Sequence, residues 1–154
     1  MKNHRATRVR LGWWALLCGY IGQIGVGLSA AFAYEGGLWA WHRQRLAREL
    51  WDLGEVPHQA IPLMRQLTAM LGATIACWAL AMVFLVLVPL RRRERWAWWC
   101  IAASTALWFV VDTGLSASHA ATTNVLFNCA AAIMIAVPLA MVWPALAPAA
   151  PSTP

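Results

Sequence analysis

Four stretches nearly free of charge dominate this sequence and decide which solvent it can fold in. Leu11 to Ala33 holds no charged residue, 62–90 holds only Arg65, 96–116 only Asp112, and 124–143 none. A helix rises about 1.5 Å per residue, so each run can cross a hydrocarbon layer of about 30 Å. With 61% hydrophobic and 12% charged residues, a water-soluble fold would leave much apolar surface in water. Lipid is therefore the expected solvent. The fold class read from the chain is all-α: a polytopic membrane four-helix bundle forming one domain over 1–143.

The formal net charge of +6 does not point to nucleic acid, because the basic residues fall in short blocks beside apolar runs instead of lining a groove. Cys18, Cys77, Cys100 and Cys129 are spread one to each run without ligand spacing, so neither a disulfide framework nor a metal site is indicated. No cofactor is expected either. Haem needs axial ligands, and His42, His58 and His119 are all expected at one boundary; Gly36-Gly37 makes no phosphate loop.

The first run follows Lys2, Arg5, Arg8 and Arg10, and Ala31-Phe32-Ala33 resembles a signal-peptide cleavage site. The apolar stretch exceeds the usual ~7–15 residues of such a peptide, and Leu17 before Cys18 is not the small residue a lipoprotein signal needs. An uncleaved first helix is expected. Gly12, Ala15, Gly19, Gly22 and Ser29, with Gly25 nearby, recur at helical spacing as a packing face, and Thr68, Gly72 and Ala76 form a second small-residue ridge to mate with it.

Between the first two runs, charges from Glu35 to His58 alternate with a stripe of Trp39, Leu46, Leu50 and Leu53 at helical spacing. An extracytoplasmic amphipathic connector helix lying on the membrane surface is expected, with a cap over the bundle as the alternative. Pro62 suits a first helical turn. The brief link 120–123 makes the last two spans antiparallel neighbours. Pro138 should bend the last one or loosen its hydrogen bonding. The uncharged Pro- and Ala-rich segment 144–154 reads as a disordered tail.

Orientation follows from the basic residues. Arg91, Arg92, Arg93 and Arg95 join the N-terminal four on one side, against Arg43, Arg45 and Arg48 in the longer 34–61 loop and none in 117–123. Both termini should face the cytoplasm of a bacterial inner membrane. Trp13, Trp14, Trp96, Trp98, Trp99 and Trp143 fall at that same boundary, where indoles favour the headgroup region. The lipid bilayer is the first partner, and a membrane-protein partner or homo-oligomer the second.

Chemistry concentrates near the end of the third span. Asp112 is the only acidic residue inside a span, and an intramembrane carboxyl group is a functional-site candidate. Helical spacing sets Thr105, Trp108, Asp112, Ser116 and His119 near one face, while Asn124 and Asn128 share a face of the next helix. Asp112 and His119 are the candidate catalytic pair, and Trp108, Ser116, Asn124 and Asn128 the candidate ligand-binding residues. The competing reading is a buried Asp and two Asn that tie helices together, with His119 solvated. Asp112-Thr113-Gly114 matches the aspartic-protease triplet in letters, but that chemistry needs two apposed carboxylates.

The segments RRRERWAWW and WFVVDTGLS, with the paired asparagines ahead of Pro138-Leu139, resemble small four-span bacterial inner-membrane proteins over roughly 62–143. That resemblance implies the architecture and carries no activity. In residue types alone, the acidic, His and Asn residues are similar to the four-helix membrane group that includes the emopamil-binding proteins, implying an intramembrane pocket. The acidic residues which that group spreads over several helices are absent here, so no catalytic role is carried over. The expected function is a non-enzymatic membrane component, either a partner subunit or a binder of a small apolar, lipid-like ligand. The alternative is an enzyme acting on a lipid or isoprenoid-like substrate through Asp112 and His119, and a transporter subunit comes third.

Overall fold

The computed structural model describes residues 2–146, and they form five α-helices: α1 (Lys2–Phe32), α2 (Gly37–Trp51), α3 (Ile61–Leu85), α4 (Arg95–Ser118) and α5 (Thr122–Val142). A 3-10 turn, His58–Ala60, leads into α3; a π-helical turn, Val86–Leu90, ends it; and a second 3-10 turn, Trp143–Ala145, follows α5. Four segments, Ala6–Phe32, His58–Leu90, Arg95–Ser118 and Thr122–Ala145, are long and apolar enough to cross a membrane. Phe32, Leu107, Val110, Leu126 and Ile133 all face outward, as the surface of a multi-pass membrane bundle requires.

α1 lies between α3 and α5, and α4 packs on α5, whereas α3 and α4 approach one another mainly where the π turn joins them. One end of the bundle carries Arg91, Arg92, Arg93 and Arg95 and is called the basic end; the other carries α2.

α1 and α3 cross backbone to backbone. A methyl group built on Gly27 would lie 2.5 Å from the Gly72 carbonyl oxygen and 2.8 Å from the Ala76 nitrogen. Small residues permit this approach, and in lipid such close packing drives helix association. The ridge of Gly72 and Ala76 thus does meet α1, but the mating face there is Gly27 with Ala30 and Ala31; Gly22 and Gly25 face open space. Gly12 serves a different neighbour, since a methyl group there would come 2.9 Å from the Pro138 carbonyl oxygen of α5. A helix with two partners needs small residues on two faces, which a single stripe does not describe.

The apolar core occupies the basic half. Leu16, Leu17, Tyr20, Val83, Val86, Ile101, Ile135 and Leu139 are among its members, as is Leu146. The described chain continues past α5 into the segment expected to be a disordered tail: the Leu146 side chain is buried and its carbonyl accepts a hydrogen bond from Arg95 Nε at 2.8 Å. The remainder of that segment, 147–154, lies outside the described residues. α5 runs unbroken through Pro138, which is buried. The second proline matters more for shape. Pro89 has no N–H to donate, and the chain around it widens into the π turn, whose Val86 carbonyl receives the Trp13 indole N–H at 3.0 Å. Trp98 donates likewise to the Leu139 carbonyl at 2.9 Å, and its ring meets Trp143 at 4.6 Å and Trp99 at 4.9 Å. Trp13 and Trp14 meet at 4.8 Å, and Arg91 sits over Trp13. The tryptophans expected at one boundary do gather at the basic end.

Candidate functional site

α2 is held across the opposite end of the bundle. Both Glu49 carboxylate oxygens accept from the Thr123 backbone N–H, at 3.0 and 3.1 Å, and the Thr123 hydroxyl donates to Oε1 at 2.6 Å. A carboxylate thereby satisfies an open N–H in the first turn of α5, where the helix dipole favours negative charge. His42 Nε2 and Asn124 Oδ1 are hydrogen-bonded at 3.0 Å, Phe127 packs between Trp41 and His42, and Trp39 donates to Ser29 Oγ of α1 at 3.1 Å. Arg43 donates to the Tyr34 carbonyl and pairs with Glu35 at 3.6 Å, while Arg65 from α3 pairs with the same Glu35. The connector is thus docked on α1 and α5, as the cap alternative requires. Of its expected stripe only Leu46 is buried: Leu50 is exposed, and Leu53 lies beyond the helix, which ends at Trp51 with Asp52 in a left-handed conformation.

Beneath this cap the interior changes character. α4 and α5 run antiparallel on either side of Ala120, so Asn128 lies at roughly the depth of Asp112, about eight residues along each helix from that turn. Gly19 lies beside Met134, which brings Gln23 to nearly the same depth. The Tyr20 phenol lies against Thr105, although neither hydroxyl reaches hydrogen-bond geometry. Tyr20, Gln23, Thr105 and Asn128 therefore fall within roughly one to two helical turns of depth, at ~5.4 Å per turn. Tyr20 OH, Gln23 Oε1, Thr105 Oγ1, Asn128 Nδ2 and, further out, Thr113 Oγ1 are all buried without a hydrogen-bond partner. An orphaned buried polar group costs roughly 1–3 kcal/mol.

Aromatic rings border the layer. Tyr20 meets Trp78 edge-on at 5.8 Å, and Trp78 meets Trp108 at 6.4 Å across the gap between α3 and α4. Trp78 and Trp108 are only half-buried, so this gap is bridged by rings and not closed by backbone.

The expected residues divide sharply. Asp112 is half-buried one turn beyond Trp108 on the same face of α4, and neither a hydrogen bond nor an ion pair reaches it among the described residues. His119 is exposed just past the end of α4, with Nδ1 at 2.9 Å from the Leu115 carbonyl and 3.1 Å from Ser118 Oγ. The two do not form a pair, because His119 is drawn to the helix terminus it caps. Ser116 and Asn128 are buried, the latter in the polar layer, while Asn124 is occupied by His42. Two surface hollows lie at the basic end, against His4, Arg8, Val9 and Pro144 and against Thr7, Arg10, Leu11 and Trp14, far from Asp112. No three His, Cys, Asp or Glu residues among those described converge on a metal position.

Gln23 and Tyr20 join the site without having been singled out in the sequence, and Thr113 stood out there only as part of the Asp112-Thr113-Gly114 triplet. Gln23 carried a usable signal, since it is the one amide side chain in a run otherwise apolar or small. Glu49 and His42 carried none, because in a charged loop nothing marks which charge will meet the first turn of a distant helix. Compared with protein-family models, curated proteins and solved structures, this chain matches none of them.

Proposed function

We propose that this is a non-enzymatic protein of the bacterial inner membrane, basic end cytoplasmic, which binds a small lipid-like molecule between α3 and α4 in the α2 half of the bundle. The observation that carries this reading is the set of unpartnered polar atoms at Tyr20, Gln23, Thr105, Thr113 and Asn128, gathered where the apolar core stops. A ligand with a polar group would satisfy them, and its apolar remainder would lie along α3 and α4 beside Trp78 and Trp108. Acid–base catalysis by Asp112 and His119 has less support, because His119 is exposed and held at the helix terminus.

Replacing Gln23 and Asn128 by Leu, singly and together, tests the reading. If the polar layer serves a ligand, the purified variants are at least as heat-stable as the parent when stripped of bound small molecules. They also lose whatever small molecule native mass spectrometry finds co-purified with the parent. If the layer serves packing alone, both variants melt lower and the parent carries no small molecule.

A further inference from the structure

We infer that the basic end carries two matching seats for the phosphate group of an anionic phospholipid, one at Arg10 and Trp14 on α1 and the other at Arg95 and Trp99 on α4. Neither seat depends on a ligand in the α2 half of the bundle.

The first support is a pattern that occurs twice. Residues 10–14 read RLGWW and residues 95–99 read RWAWW, and the two copies fold alike. The first tryptophan of each pair turns inward: Trp13 donates its indole N–H to the Val86 carbonyl at 3.0 Å, and Trp98 to the Leu139 carbonyl at 2.9 Å. The second stands edge-on against it, at 4.8 Å for Trp14 and 4.9 Å for Trp99, and faces outward. The small residue before each pair, Gly12 or Ala97, is buried. Arginine and outward tryptophan are four residues apart, so they share one helix face, with the charge one turn nearer the basic end. The two copies also stand at one depth. Both helices start at this end, and Tyr20 and Thr105, each ten residues beyond its arginine, lie against one another. An indole favours the headgroup region, and a guanidinium presents paired donors that match a phosphate. One above the other, they follow the order of a phospholipid head, phosphate outermost and ester groups beneath.

The second support is charge. Eight of the twelve Lys and Arg residues lie in 2–10 and 91–95, beside a single acid, Glu94, whose carboxylate accepts from the Trp96 indole N–H. Among the described residues neither Arg10 nor Arg95 has an acidic partner. Arg95 is fixed by the bond from its Nε to the Leu146 carbonyl, which leaves the two-pronged end of the guanidinium for an anion. Arg10 and Trp14 line one surface hollow together with Thr7 and Leu11. The outward indoles tie both arginines to headgroup depth, which selects the phosphate of a lipid over that of a soluble anion.

The test is native mass spectrometry of the unaltered full chain in detergent, titrated with dioleoyl phosphatidylglycerol or dioleoyl phosphatidylcholine. Two phosphatidylglycerol molecules are expected to bind, each at least about fivefold more tightly than phosphatidylcholine, the factor that one basic residue near the surface supplies. Arg10→Gln and Arg95→Gln should each remove one of the two, and Trp14→Leu and Trp99→Leu should each weaken one. Arg93→Gln, which deletes an equal charge with no tryptophan four residues on, should keep both. A loss at Arg93→Gln as large as at the seats would overturn them in favour of diffuse attraction. Equal binding of the two lipids would overturn the charge recognition, and displacement of phosphatidylglycerol by free glycerol phosphate would overturn the choice of a lipid. Because the lipid preference and the count of two are read on the parent chain, they decide the matter even if a variant fails to fold, and their failure would leave the α2-half reading standing.

Discussion

Gly27 and Gly72 bring the backbones of α1 and α3 into direct contact, each occupying the space where the other would carry a side chain. Gly27→Ala must therefore push the helices apart, and overpacking of this kind costs about 1–3 kcal/mol. A lowered melting temperature in detergent is the expected result. Gly22→Ala, which meets open space, should be neutral or slightly stabilising, since alanine favours the helix. Equal effects at the two positions would refute the crossing.

Glu49 acts on α5 from a separate helix, through three hydrogen bonds to one residue. Glu49→Ala removes them and leaves the first turn of α5 short of an acceptor. Loss of a cap costs about 1 kcal/mol, and the effect should be local. Hydrogen exchange at Thr123 and Asn124 is expected to quicken while the amides around Leu139 keep their protection.

Ala120 closes the α4–α5 turn at φ 57°, in the left-handed region that costs a side-chain-bearing residue about 1–2 kcal/mol. Its neighbour Ala121 donates back to the Ser116 carbonyl at 2.9 Å, which fixes the geometry. Ala120→Gly relieves the strain, offset in part by the extra freedom of glycine in the unfolded chain. A net gain of under about 1 kcal/mol is expected, visible as a small rise in melting temperature.

Tyr34 gives the protein an alkaline limit. Burial pushes its phenol above the ordinary value of 10.0, partly opposed by Arg43 and Arg65 and reinforced by Glu35. The sign follows from which state ionises first. Below pH 10 the phenol is neutral in both states and stability is full; as pH rises past 10 the unfolded chain ionises ahead of the folded one, and stability falls. Tyr34→Phe should flatten that part of the stability curve. An unchanged slope between pH 9 and 11 would contradict the burial assigned to this hydroxyl.

The four spans were legible because lipid makes a single strong demand, a long uncharged run, and the chain meets it four times. The aromatic gathering at the basic end was legible for a related reason, as Trp13, Trp98, Trp99 and Trp143 lie beside the ends of those runs. Pairing was harder to read. Small residues recur on several faces of α1, and only the crossing point with α3 selects Gly27 over Gly22 and Gly25. Asp112 stood out because an acid in a span is rare. Its expected partner His119 failed to arrive because its ring turns back on the Leu115 carbonyl at the α4 terminus, which also accepts from Ser118 Oγ and the His119 backbone N–H. The π turn had a cue in Pro89, but what a proline does at a helix end depends on what can reach the freed carbonyls, and Trp13 comes from a segment 73 residues away.

Oily packing at one end alone gives the bundle a graded stiffness along its length. The arginine end behaves as a hinge, while at the far end α1 and α3 stay joined at Gly27 and Gly72 and α5 is held by the few polar fingers of the cap, chiefly Glu49 and His42. Thermal agitation should accordingly splay the rods from the capped end first, with α4 and α5 swinging together as one jaw.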